Sequence, residues 1–245
     1  MHSVIWKDLG FFVRCLKGLP VSRSMMLSDE AFCVSTGTES ENWVYCPEEI
    51  TDINAVSEAA GFFRERGEVF MWPVYSGGSE LLESAGLVYA GDLAAMTLDP
   101  GRMKHESVSD EVVVGESGSP EEWAMTAWRG FGGEAEELPE NYREFVRALS
   151  ESESVRLYTA RYEGENAGVF AVTSEADMMG VYYFAVKPEL RRKGIARAMM
   201  SEICRLAEDK KIVLQSTPMG RKFYRNFGFS ELFMIPVYST TDDIF

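Results

Sequence analysis

The chain has 245 residues, with 24 Lys+Arg against 39 Asp+Glu and a formal net charge of -15. Its 46% hydrophobic, 12% aromatic and 26% charged residues exclude a disordered, collagen-like or coiled-coil chain. So acidic a protein is repelled by DNA, RNA and anionic lipid, and neither a nucleic-acid nor a membrane partner is expected. No segment approaches the roughly 20 uncharged apolar residues of a membrane helix. The N-terminus carries Lys7, Asp8, Arg14 and Lys17 and lacks a small-residue cleavage site, so it does not read as a signal peptide. Cys15, Cys33, Cys46 and Cys204 show no CxxC spacing and no neighbouring His. No metal site and no disulfide scaffold is expected, and free thiols point to a reducing cytoplasm.

In chain order, Trp43–Cys46 reads as a strand and Glu48–Arg66 as a helix, with Ile50, Ile53, Val56, Ala60 and Phe63 at steps of three and four. Glu68–Pro73 is a strand and Ser79–Ala85 a short helix. Turn formers at Asp99-Pro100-Gly101 open a stretch without hydrophobic period. The expected organisation is therefore one domain over 1–100, a linker over 101–111 and a second domain over 112–245.

The second domain begins with a strand at Val112–Gly115. Ser119-Pro120-Glu121-Glu122 opens a helix with cap, proline and acidic first turn in order. A loop over 131–137 leads to a helix from Pro139 to about Ser150. Val155–Tyr162 and Ala167–Ser174 form a hairpin across a glycine-containing turn. Met178–Val186 has no polar alternation, so it is a strand covered on both faces. A helix from Gly194 to Glu208, a strand at Ile212–Gln215, a helix at Met219–Asn226 and one or two strands over Phe229–Tyr238 follow. Gly228 is a left-handed helix stop.

The run Val186-Lys187-Pro188-Glu189-Leu190-Arg191-Arg192-Lys193-Gly194-Ile195-Ala196 leaves a buried strand and enters a helix at glycine. The first N–H groups of a helix lack internal partners, and the dipole is positive there. With Arg191, Arg192 and Lys193 beside it, this is a pyrophosphate cradle. Residues 186–226 carry a net charge of +7 and all others -22. One basic patch on an acidic protein indicates a specific anionic ligand.

Arg191-x-x-Gly194-x-Ala196 after Ala185-Val186-x-Pro188 resembles the coenzyme A signature of the GNAT acyltransferases. Phe223-Tyr224-Arg225-Asn226-Phe227-Gly228-Phe229 resembles their second mark, in the same order and spacing. The resemblance implies an α/β (α+β) chain with the GNAT acyl-CoA N-acyltransferase fold, a mixed central sheet flanked by helices. It implies acetyl-CoA as acyl donor and an amine acceptor. Phe184, Ala185 and Val186 would hold the pantetheine arm and acyl carbonyl with backbone groups. The amides around Arg192, Lys193, Gly194, Ile195 and Ala196, with Arg191, would bind the pyrophosphate. Tyr224 would give the leaving thiolate its proton. Thr217 stands where relatives often have Asn, and it can still bond the pantetheine arm. Gly220 replaces a frequent Ala.

No acidic residue lies within 178–186, where many relatives keep the general base. Glu175, Asp177, Glu134, Glu136 and Glu137 are candidates. The first hundred residues resemble a degenerate copy of the same fold, in a tandem arrangement. Leu81-Leu82-Glu83-Ser84-Ala85-Gly86-Leu87 matches the second mark, with Leu82 in place of Tyr224, and Pro47-Glu48-Glu49 stands where the cradle would be. The expected function is an acetyl-CoA-dependent N-acetyltransferase. The missing carboxylate and the degenerate half keep a non-catalytic acyl-CoA-binding regulatory module as the alternative. A homodimer is compatible with the sequence.

Overall fold

The structure, a computed structural model, describes residues 2–39, 41–99, 101, 111–134, 137–242 and 244. Most of the expected linker, 102–110, lies outside them. The chain opens with α1 (His2–Lys17), β1 (Arg23–Met26), β2 (Phe32–Ser35), β3 (Asn42–Tyr45), α2 (Ile53–Arg64), β4 (Phe70–Pro73), α3 (Ser79–Ser84) and β5 (Val88–Leu98). It continues with β6 (Val112–Glu116), α4 (Pro120–Gly130), α5 (Glu140–Ser150), β7 (Val155–Tyr162), β8 (Glu165–Ser174) and β9 (Met178–Val186). A 3-10 turn at Pro188–Leu190 precedes α6 (Ile195–Ala207), β10 (Lys211–Ser216), α7 (Pro218–Phe227) and β11 (Ser230–Ser239). The sequence reading contains neither α1 nor β1, β2 and β5.

Contacts divide the chain into two compact units. The first is Met1–Met96 with Gln215–Asn226 and Ser230–Phe245, and the second is Thr97–Leu214 with Phe227–Phe229. The C-terminal helix and strand thus pack with the first hundred residues.

In the first unit the strand order is β1-β2-β3-β4-β11-β5. α2 makes a crossover between the parallel strands β3 and β4, with Asn42 opposite Phe70 and Trp43 opposite Met71. β11 lies antiparallel to β4, with Tyr238 opposite Trp72. Phe63, Phe70, Trp72 and Leu82 form the core here with Tyr238, and Phe63 stacks on Phe70 at 4.4 Å. α2 starts five residues later than its apolar period suggests. Asp52 accepts from the Asn54 amide at 2.8 Å, and that cap ends the loop.

Glu68 stands just before β4. The Ser35 hydroxyl donates to its Oε1 at 2.7 Å, while its Oε2 is buried without a partner. Burial raises the carboxyl pKa, against the lowering pull of Ser35, Arg66 and Arg23. The folded state therefore holds this proton more tightly than the unfolded chain. That contribution is full below the ordinary carboxylate range and is lost as pH rises through the folded value. Glu68→Gln should raise stability at pH 7 by under ~1 kcal/mol and give no advantage near pH ~4. Urea midpoints at the two pH values would read this. An equal gain at both would refute the charge argument.

In the second unit the order is β10-β9-β8-β7-β6. β6 through β9 are antiparallel neighbours, and β9 and β10 are parallel around α6. Each unit therefore contains a β-α-β crossover, and in chain order each crossover is followed by a short helix and a strand, α3 and β5 after the first and α7 and β11 after the second. α4 opens as its sequence dictates, with Ser119 accepting from the Glu122 amide at 3.2 Å and Pro120 in the first turn. The fully buried Trp123 fixes α4 to the sheet. Its Nε1 donates to the carbonyls of Tyr158 at 3.1 Å and Phe170 at 3.3 Å.

Candidate active site

β9 is irregular where the candidate residues lie. Ala171 faces Tyr182 and Val169 faces Ala185, so three steps on β9 match two on β8. This is a β-bulge, which bends a strand and re-aims its side chains. Tyr183 adopts a left-handed φ of 52° within it. Its ring meets Trp123 at 5.6 Å and Phe145 at 6.4 Å. The parallel register with β10 runs only from Met178–Lys211 to Gly180–Val213. Beyond it, β9 continues to Val186 paired with β8. Phe184, Ala185 and Val186 thus stand past the last β9–β10 pair.

The chain then turns through Pro188–Leu190 into α6. Arg192 has φ 66° and Gly194 φ 83°. Gly194 is the N-cap of α6 and offers no side-chain bond. Its carbonyl accepts from the Arg197 and Ala198 amides, both at 3.0 Å. The amides of Ile195 and Ala196 precede any helical acceptor. A Cβ placed on Gly194 would meet nothing within 4 Å. The helix mouth is open, and its glycine is required by φ and not by crowding. A non-glycine residue with positive φ, as at Arg192, stores strain of a kind that clusters at ligand clamps.

The three basic side chains differ. Arg191 donates from Nε to the Val186 carbonyl at 3.2 Å and from Nη2 to the Gly130 carbonyl at 3.0 Å. It ties the end of β9 to the last residue of α4, where a cation also suits the helix dipole. Lys193 places Nζ 4.8 Å from the centre of the Tyr162 ring. Arg192 is exposed.

Two glycines that sequence reasoning missed set this geometry. A Cβ on Gly130 would lie 2.6 Å from the Ala185 Cβ, so α4 rests directly on β9 there. A Cβ on Gly168 would lie 2.6 Å from the Met199 sulfur, 3.0 Å from the Ala185 carbonyl and 3.2 Å from Ile195. It would push α6 off the sheet. Gly130 reads from sequence only as a helix end, and Gly168 as an interruption in a strand that signals close backbone approach.

Thr217 and Tyr224 belong to the first unit. Thr217 accepts at its carbonyl from the Gly220 and Arg221 amides as α7 begins. Tyr224 is buried, and burial pushes its hydroxyl above the ordinary phenol range. It is a neutral O–H donor at physiological pH. A Cβ on Gly220 would come within 3.0 Å of the Tyr224 ring and of Ser216 Oγ, so the glycine makes room for both.

Glu175 and Asp177 precede β9 at its far end. Strand rise puts Asp177 about 20 Å from the bulge at Tyr183 and further from Val186. That distance excludes direct proton transfer there. Glu134 and Glu137 are exposed in the loop after α4, and Glu136 lies outside the described residues. No group of three or more His, Cys, Asp or Glu that could hold a metal ion occurs among the described residues.

The first unit handles the corresponding helix entrance differently. Asp52 caps α2 with its own carboxylate. At the entrance of α3, the Glu49 carboxylate lies 2.6 Å from where a Cβ on Gly77 would be, and Ile50 lies 2.7 Å from that of Gly78. At the mouth of α2 an N-terminal amide is thus already taken by a carboxylate of the chain itself.

Residues 129–235 match the family described as acetyltransferase (GNAT) domain. No curated protein matches the sequence. A GCN5-related N-acetyltransferase from Kribbella flavida has a TM-score of 0.66 at 13% identity, over 96% of this chain and 95% of that one. A tandem GNAT protein of the clavulanic acid biosynthesis pathway has a TM-score of 0.59 at 13% identity, over 94% and 86%. A GCN5-related N-acetyltransferase from Sphaerobacter thermophilus has 0.57 at 13%, over 85% and 76%. These likenesses extend over both units of the chain.

Proposed function

We propose that the protein transfers an acetyl group from acetyl-CoA to a primary amine of a small molecule or peptide by direct attack. The observation that carries this is the open, uncapped mouth of α6 at Gly194, placed after a bulged strand within the GNAT domain. In chain order, 112–245 is the copy with the cradle and 1–100 the copy without it, joined through 101–111. The amides of Arg192, Lys193, Gly194, Ile195 and Ala196 bind the diphosphate. Arg191 holds the loop by its two carbonyl contacts. The backbone of Phe184, Ala185 and Val186 and the Thr217 side chain hold the pantetheine arm and acyl group, and an oriented N–H polarises the carbonyl.

Tyr224 keeps its proton because burial disfavours the phenolate. It is offered to the departing sulfur as a neutral donor. No described helix is long and apolar enough to cross a membrane, and we place the protein in the cytoplasm.

Release of free thiol from acetyl-CoA, assayed with aliphatic diamines, amino acids and peptide amines, tests the reading. Tyr224→Phe should lower kcat about 100-fold while the acetyl-CoA KM stays within about threefold. An unchanged kcat across the pH range would remove Tyr224 from the chemistry. Tight acetyl-CoA binding without turnover on any amine would favour a non-catalytic binding module, which the closed entrance of the first unit and the distant Asp177 also suit.

A further inference from the structure

Glycine is a poor helix former, yet one closes α4 at position 130. Its backbone is not left-handed, so conformation does not require it. Space requires it. A Cβ there would lie 2.6 Å from the Ala185 Cβ and 3.5 Å from the Ala185 carbonyl carbon and the Val186 nitrogen. A Cβ cannot rotate away, so the backbone of α4 or of β9 would have to move.

The contact falls where β9 is paired on one side. Val169 and Gly168 of β8 face Ala185 and Val186, while the register with β10 ends at Gly180. The bulge and the strained Tyr183 come just before, and such strain persists only where the surroundings hold it. Arg191 closes the contact. The Gly130 carbonyl is among the last of α4 and has no acceptor role left within the helix. It accepts from Arg191 Nη2 at 3.0 Å, and the Val186 carbonyl accepts from Nε at 3.2 Å. One planar guanidinium thus fixes the end of α4 to the end of β9. All four residues belong to the second unit.

We propose that Gly130 is a positioning residue for acyl transfer. By letting α4 rest on Ala185, it sets the direction of the β9 backbone groups that hold and polarise the acyl carbonyl. The inference rests on the transferase reading and divides the site in two. The diphosphate is gripped at the α6 mouth, whereas the acyl end is aimed from α4. Displacing β9 at Ala185 therefore costs rate and spares carrier affinity.

The test uses the full-length protein, with calorimetric titration of acetyl-CoA, the thiol-release assay on the best amine and a melting curve for each variant. Gly130→Ala should lower kcat about 30-fold while the acetyl-CoA Kd stays within about threefold. The double variant Gly130→Ala/Ala185→Gly moves the methyl group across the contact and should regain about tenfold of that loss. Ala185→Gly alone sets the level to which kcat can return. Should Gly130→Ala fail to fold, Arg191→Lys carries the test. It keeps the charge but cannot span two carbonyls, and should show the same split with kcat down about tenfold. A folded Gly130→Ala protein with kcat within about twofold of wild type, a loss confined to acetyl-CoA affinity, or a double variant no better than the single one would overturn the proposal and leave the transferase reading intact. A wild-type protein that transfers no acyl group would overturn both.

Discussion

Gly194→Glu lowers acetyl-CoA affinity by about 100-fold or more. The glycine caps α6 with φ 83° and has open space where a side chain would stand. A glutamate there would put its own carboxylate over the Ile195 and Ala196 amides and beside Arg192. Charge-assisted bonds to such amides contribute about 1.5–3 kcal/mol each, so losing one or two to an internal competitor suffices. The left-handed backbone adds strain of about 1–2 kcal/mol, felt as lost stability and not as lost binding. Gly194→Asn separates the effects, because Asn tolerates positive φ and brings no charge. It should bind acetyl-CoA far better than the glutamate variant. Calorimetric titration with acetyl-CoA alone reads both. If the glutamate variant bound as tightly as the wild type, the diphosphate would not sit at this helix mouth.

Trp123→Ala costs the fold about 3–5 kcal/mol. The indole is fully buried, and its N–H lies between the Tyr158 and Phe170 carbonyls. Removing it leaves a large cavity under α4. It also removes the ring that Tyr183 packs against at 5.6 Å. Tyr183 holds φ 52° only because its surroundings compensate the strain. Trp123→Phe keeps most of the volume and loses the two bonds, so about 1–2 kcal/mol is expected. Urea unfolding followed by far-UV circular dichroism would rank the three proteins. A loss below ~1 kcal/mol for the alanine variant would mean that α4 is anchored elsewhere.

The second half of the chain was the more legible. Its helix at 120–130, its hairpin and its buried strand follow from caps, turn residues and apolar period, all read within a few residues. The start of α6 was legible for the same reason: proline, three cations and a glycine stand together before it. The first half carried weaker signals. Its short strands β1 and β2 have few residues each, and α1 mixes charged residues into an apolar run. The apolar period before α2 continued into Glu48–Asp52, where the Asp52 cap overrides it.

Arg191 shows the limit within the site. Its charge was legible, but its two carbonyl partners, 5 and 61 residues away, are not encoded in any local pattern. Gly130 and Gly168 look like ordinary glycines until the packed neighbours of their missing Cβ atoms are known.

By itself the amino-acid order determined the entrance of α6 at Gly194, because the backbone there is set by neighbouring residues. Tertiary structure alone decided that α7 and β11 pack with the first hundred residues. It alone brought Asp8 to Gln215, across 207 positions of chain. Such pairings depend on which apolar faces bury one another, and periodicity along the chain names the faces without naming their partners.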